Sequence, residues 1–309
     1  MKKRNILSTS KLKEIKKKKR KKIRNRIIIF SVIFLLILTG LIFLSRWQEM
    51  NIQDIQVVGN KIIDAQDIKK IAETKLVGNF IFVFPKKNSF LYPENKIKNK
   101  LSEEFKRLKE IEVEVDANDL QTLWITVSEY EGKYLWCGEN IVQEDFEFNN
   151  QDCYFLDSEG YIFDKAPYFS GEVYFKFYGN SGFDSLSPIS SHFFPESFKK
   201  IILLKEAIEK MNLKLSSFSL ENQEDGNLFL SCNGKTQNAP RIIFKLNSDY
   251  NKLIENLQSA ITTEPLQSDL KNRLNNLNYI DLRFGNKIFY KFRQNNDENG
   301  KPAETFNLE

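Results

Sequence analysis

Residues 279–292 read YIDLRFGNKIFYKF, two alternating runs around a Gly–Asn pair. In the first run Ile280, Leu282 and Phe284 fall on one side, and Tyr279, Asp281 and Arg283 on the other. In the second, Ile288, Tyr290 and Phe292 alternate with Lys287, Phe289 and Lys291. Successive side chains of a strand point to opposite faces, so this period of two predicts strands with one buried face. Gly285-Asn286 supplies the backbone freedom that a two-residue hairpin loop requires. The stretch therefore predicts a hairpin whose last strand, Lys287–Phe292, lies at a sheet edge. Its aromatic residues also suit cross-strand packing. Residues 294–309, rich in Asn, Glu and Asp and without an apolar run, read as a disordered tail.

Working toward the N-terminus, residues 130–293 read as one mixed domain. Short strands are predicted at 133–136, 153–156, 161–163, 173–178, 218–220, 228–232 and 241–246, with a clear turn at Asp157-Ser158-Glu159-Gly160. Two helices interrupt them, Glu196–Met211 and Asp249–Ala260, and Leu266, Leu270, Leu274 and Leu277 mark a third. This pattern predicts an α+β domain on a largely antiparallel sheet.

Residues 50–129 form a smaller domain with a βααββ order. Ile55–Val58 reads as a strand stopped by Gly59-Asn60, and Asp64 is placed to cap a helix through Thr74. Pro93 suits the first turn of a second helix, whose stripe is Ile97, Leu101, Phe105 and Leu108. Ile111–Val115 and Leu123–Val127 alternate as strands. Between the helices lies FIFVFPKKNSFLY, residues 80–92. Its Phe80, Phe82, Phe84 and Phe90 are expected on the core of the small domain, with lipid or a partner as the alternative. The second segment without an assigned role is the insertion 138–152.

Before the small domain, residues 27–44 read IIIFSVIFLLILTGLIFL, eighteen residues without a charge. As a helix they span about 27 Å, close to the ~30 Å hydrocarbon core of a bilayer. Arg26 and Arg46 bracket them, and Trp47 stands where an interfacial aromatic belongs. No small-x-small cleavage site follows Gly40, so the segment predicts a retained transmembrane helix. Residues 1–26 hold 14 Lys or Arg and one acid, a net +13 in a chain of net +5, which leaves −8 for residues 27–309. Basic residues beside a span stay in the cytoplasm, so the N-terminus is expected inside and the C-terminus outside. The run Lys16–Lys22 also suits anionic lipid head groups. It has no aromatic residue for base stacking, which argues against nucleic acid.

Catalytic and cofactor signals are missing. The single histidine, His192, excludes a multi-histidine metal site, and no P-loop, GxGxxG or GxSxG motif is present. The expectation is no enzyme activity, no cofactor and no metal. Of three cysteines, Cys137 and Cys153 lie 16 apart in segments that suit neighbouring strands. Outside the membrane a disulfide between them is permitted, and two free buried thiols are the other reading.

These parts together resemble the FtsQ/DivIB family of bacterial cell-division proteins. The resemblance covers residues 27–293 and is carried by the basic tail and span, the βααββ module, the CYFLDSEG stretch at 153–160 and YIDLRFGNKIFYK at 279–291. It implies that the small domain is a POTRA module and the larger one the family's β domain. It also implies a non-enzymatic divisome scaffold in the cytoplasmic (inner) membrane at the division septum. The implied partners are FtsB- or DivIC-like and FtsL-like coiled-coil proteins, docking by strand addition at the terminal hairpin. Carried onto this chain, the partner-binding residues are Arg283, Phe284, Lys287, Ile288, Phe289, Tyr290, Lys291 and Phe292. The POTRA module near Ile55–Gly59 is implied to meet an FtsK-like component. The competing expectation is a POTRA-type envelope transport or assembly protein, against which stands the lack of repeated lipid-facing strands.

Overall fold

The computed structural model describes residues 9–141, 152–180, 182–184, 186–194, 196–222, 224–231, 239–293 and 304–307. Most of the 138–152 insertion, Cys232 and tail residues 1–8, 294–303 and 308–309 lie outside that set. The chain divides into two compact units, Met1–Glu129 and Tyr130–Glu309. The architecture is α+β: a long apolar helix, a small βαβ-rich domain, and a large mixed sheet with a hairpin near its end.

In the first unit α1, Thr9–Ser45, carries the lysine-rich segment straight into the apolar one as a single helix of 37 residues. Its most apolar window has a mean hydropathy of 3.1 and none of it is buried. It is thus long and apolar enough to cross a membrane. A 3-10 turn at Gln48–Met50 leads into β1, Asp54–Val58. There follow α2 (Ala65–Leu76), a small hairpin of β2 (Asn79–Phe80) and β3 (Phe84–Pro85), α3 (Glu94–Glu104), β4 (Leu108–Val115) and β5 (Thr122–Glu129). The main sheet has the order β1-β5-β4, with β1 parallel and β4 antiparallel to β5. Asp64 caps α2 by accepting from the Gln66 N–H at 2.8 Å.

The helices bury Ile68, Ala72, Ile97 and Leu101 against Ile55, Val113, Leu123, Ile125 and Val127. Gly59 is required where β1 ends: its φ is +87°, and a Cβ there would stand 2.1 Å from the Val127 carbonyl oxygen. The Glu129 carboxylate then accepts from the N–H groups of Lys61, Ile62 and Ile63, fixing that loop at the far end of β5.

One boundary differs from expectation. The stripe through Phe105 and Leu108 predicted helix, but α3 ends at Glu104; Phe105 closes its last turn in extended backbone, and Leu108 opens β4. Leu108 is buried either way, so burial spacing alone did not distinguish the two elements.

The second unit opens with β6 (Tyr134–Trp136), β7 (Tyr154–Leu156), β8 (Ile162–Lys165) and β9 (Lys176–Tyr178). It continues with α4 (Phe198–Lys210), β10 (Leu215–Leu220), β11 (Asp225–Leu230), β12 (Arg241–Lys245), α5 (Tyr250–Ile261) and α6 (Leu266–Arg273). It ends with β13 (Leu277–Phe284), β14 (Lys287–Phe292) and β15 (Glu304–Asn307). The ten strands run β15-β14-β13-β12-β11-β10-β9-β6-β7-β8. Three pairings are parallel, β9–β10, β6–β9 and β12–β13; the rest are antiparallel. The expected third helix is shorter than its leucine spacing suggested, because Leu277 begins β13. The tail also needs correction, since residues 304–307 pair with β14.

The core of this unit buries Ile201, Leu204 and Ile208 of α4 and Leu253 and Leu257 of α5 with Phe218, Phe244, Ile280 and Ile288 from the sheet. The 157–160 turn has a structural explanation. Asp157 accepts from the N–H groups of Glu159 and Tyr161, and Gly160 (φ +84°) lies where a Cβ would meet Phe198. His192 bridges to Tyr161 in the backbone, and their rings lie 4.9 Å apart.

Tyr250 packs in this core with no hydrogen-bond partner for its hydroxyl among the described residues. Burial pushes the phenol up to about 12. A raised acid loses its contribution as pH rises: stability is complete below the ordinary tyrosine range near 10 and falls between there and 12. Tyr250→Phe removes an orphaned polar atom and is expected to raise stability by roughly 1 kcal/mol. The same change should flatten the alkaline limb of unfolding measured against pH. An unchanged limb would show that another group sets it.

Candidate functional site: two exposed hairpins

The terminal hairpin joins β13 and β14 through Gly285-Asn286, with Gly285 at φ +66°. Ile280, Leu282, Ile288 and Tyr290 point into the core. Phe284 does not follow Ile280 and Leu282. A register shift between Asp281 and Phe284 inserts one extra residue in β13, since Asp281 faces Phe289 while Phe284 faces Lys287. The bulge sets the Phe284 ring beside Phe289, 5.0 Å away and nearly perpendicular, and leaves Phe284 55% exposed.

Arg283 turns inward. Its guanidinium donates to Asp281 at 2.7 and 2.9 Å and to Asp225 of β11 at 2.9 Å. Hydrogen bonding to Asp281 raises it above the usual guanidinium range, against burial and with Asp225 adding. Both carboxylates are largely buried. The expected contact residues therefore separate. Arg283 is committed to an ion-pair cluster, and the side chains of Ile288 and Tyr290 are buried in the core. Phe284 and Lys287 are exposed, with Phe289, Lys291 and Phe292 half-buried. Arg273 lies over the Phe292 ring at 4.5 Å.

β14 is not the sheet edge that the sequence predicted. Residues 304–307 pair antiparallel with Lys287–Tyr290, so the chain's own C-terminal segment covers that edge. Elsewhere in this unit Cys137 and Cys153 are joined by a disulfide, next to the antiparallel pairing of Trp136 with Tyr154.

The second hairpin, β2–β3, lies at the exit of α1. The Arg46 guanidinium donates to the Val83 carbonyl at 3.2 Å. The Asn88 amide donates to the Ser45 carbonyl at 3.1 Å, and Asn51 donates to the Trp47 carbonyl at 2.5 Å. The Ile52 and Ser89 N–H groups donate to Lys87 and Met50 carbonyls, so the loop and the helix end form one bonded junction.

The hairpin tip breaks a local rule. Val83 N–H donates to the Phe80 carbonyl, and the two residues between, Ile81 and Phe82, have φ of +46° and +65°. A turn with both central residues left-handed normally holds Asn-Gly. Here both positions carry large apolar groups, 81% and 93% exposed. The expectation that Phe82 and Phe90 pack on the core is corrected, because Phe90 is 69% exposed as well; Phe80 and Phe84 are half-buried. Left-handed backbone at non-glycine residues costs about 1–2 kcal/mol each. Ile81→Asn combined with Phe82→Gly is therefore expected to raise the melting temperature of the full chain in detergent. A fall would mean that contacts of the tip, within the protein or with the micelle, outweigh the backbone strain.

Comparison with protein-family models and with curated proteins finds no match for this chain.

Proposed function

We propose that this chain is a non-enzymatic scaffold of the FtsQ/DivIB type, holding division proteins together at the septum of a bacterial cell. The observation that carries the proposal is the order of its parts. An exposed apolar helix leads into a small βααββ domain, followed by a mixed sheet with a hairpin near its end that presents Phe284 beside Phe289. In this reading α1 crosses the cytoplasmic membrane once, the net +13 of residues 1–26 holds the N-terminus in the cytoplasm, and both folded units lie outside. Lys16–Lys22 faces anionic lipid.

The terminal hairpin receives a segment of FtsB- or DivIC-like and FtsL-like coiled-coil proteins, and the small domain is the place for an FtsK-like contact. Two features support docking at the hairpin. Phe284 and Phe289 form an aromatic pair of the kind that anchors interfaces. The backbone of β14 is shaped to pair an added strand, as residues 304–307 do, and a partner strand takes their place or joins outside them.

A fluorescent fusion of the full chain in dividing cells of its host tests the proposal. The expected result is a band at midcell that disappears when the FtsB- or FtsL-like proteins are depleted. A uniform envelope signal, unchanged by depletion, would overturn it and favour a POTRA-type envelope assembly protein.

A further inference from the structure

We infer that the β2–β3 hairpin is a second membrane contact: its tip, Ile81 and Phe82, enters the outer interface of the bilayer beside the exit of α1. The inference rests on α1 being a span, but not on the division role. Three observations converge on a lipid surface.

The first is position. Arg46, which holds the Val83 carbonyl, lies two residues beyond Leu44, about 3 Å of helix rise past the apolar segment. The loop cannot drift from that level, because Asn88 donates to the Ser45 carbonyl at the end of the helix and bridges in the backbone to Asn51, which donates to the same carbonyl. If α1 spans the bilayer, the tip stands at the depth where hydrocarbon gives way to head groups.

The second is chemistry. Ile81 and Phe82 are almost fully exposed and Phe90 is largely so; Trp47, whose carbonyl accepts from Asn51 in the junction, is half-exposed. Arg46 and Lys87 are exposed in the same junction. Apolar tips flanked by aromatic and cationic residues match the acyl and phosphate layers of an interface.

The third is conformation. A tight left-handed turn exposed to water would be served by Asn-Gly, yet this one carries Ile-Phe at positive φ. At this turn the backbone departs from local preference, and doing so presents two apolar groups outward.

The test uses the full chain with Cys232→Ser, so that an added cysteine alone takes an environment-sensitive dye. Three chains carry Phe82→Cys, Phe43→Cys or Ile62→Cys, and each is placed in nanodiscs of phosphatidylcholine with some phosphatidylglycerol. Phe43 lies in the apolar segment of α1, and Ile62 is an exposed apolar residue in the loop that Glu129 holds at the far end of β5. Lipids brominated in the acyl chain should quench the dye at Phe82→Cys several-fold more than at Ile62→Cys, approaching the quenching at Phe43→Cys. Quenching at Phe43→Cys with none above the Ile62→Cys level at Phe82→Cys would overturn the finger and leave the span standing. No quenching at Phe43→Cys would overturn the span and the finger together.

Discussion

Arg283→Met is expected to cost on the order of 3 kcal/mol, lowering the melting temperature by about 6–12 °C for a unit of this size. The reason is what the substitution leaves behind. The Asp281 and Asp225 side chains are 7% and 14% exposed, and Arg283 is the cation that reaches both. Removing one partner of a buried ion pair strands the other charge away from water. Asp281 keeps the Arg283 backbone N–H as a donor, which recovers little of the loss. Arg283→Lys keeps the charge but not the forked geometry that spans two carboxylates, so an intermediate loss is expected. Adding Asp225→Asn and Asp281→Asn to Arg283→Met should restore part of the stability. Thermal unfolding of the full chain in detergent reads all of these, and a melting temperature unmoved by Arg283→Met would sink the account. The consequence for function is direct: loss of partner binding on altering Arg283 would report a damaged sheet rather than a lost contact.

Phe284→Asp is expected to behave in the opposite way, weakening partner binding while leaving the melting temperature in place. Phe284 is 55% exposed and stacks edge-on against Phe289, outside the core. An aromatic anchor at the centre of an interface contributes about 2 kcal/mol or more, roughly 30-fold in Kd. The measurement is a titration of the purified chain with the FtsB- or FtsL-like segment. Binding that survives Phe284→Asp unchanged would remove the hairpin as the docking site. The C-terminal segment adds a second arm. Residues 304–307 occupy the β14 edge, so a partner strand must displace them or join outside them. If the edge is open in about a tenth of molecules, apparent affinity is about tenfold weaker than intrinsic affinity. Ending the chain after Arg293 should then tighten binding by roughly that factor. Weaker binding on truncation would instead mean that the partner joins outside β15.

Most elements were legible because their signals are local. The period of two in 279–292, the Asp64 cap, the Gly285-Asn286 turn and the uncharged run 27–44 each report on a few neighbouring residues. Errors came where one residue satisfied two periodicities, as Leu108 did, buried equally well at the end of a helix stripe or the start of a strand. The candidate site was less legible than the fold. Alternation placed Phe284 with Ile280 and Leu282, but a single extra residue in β13 carried it to the exposed side, and nothing in YIDLRF marks that bulge. The Phe80–Tyr92 stretch looked like core because its aromatics are dense. The signal available was a negative one: Ile-Phe in a tight turn with no Gly or Asn.

The α+β class, the apolar helix with its charge asymmetry, the existence of the terminal hairpin and the order of elements apart from β2, β3 and β15 were readable from the residues alone. These follow from short-range periodicity, charge and turn chemistry. Tertiary structure decided what those elements face. Arg283 meets Asp225 from 58 residues away, β14 is covered by a segment that composition alone assigned to a tail, and the β2–β3 tip is pinned to the end of α1 by Arg46. Each depends on which distant segments become neighbours, and a side chain's surroundings are set by that pairing rather than by the residues beside it in the chain.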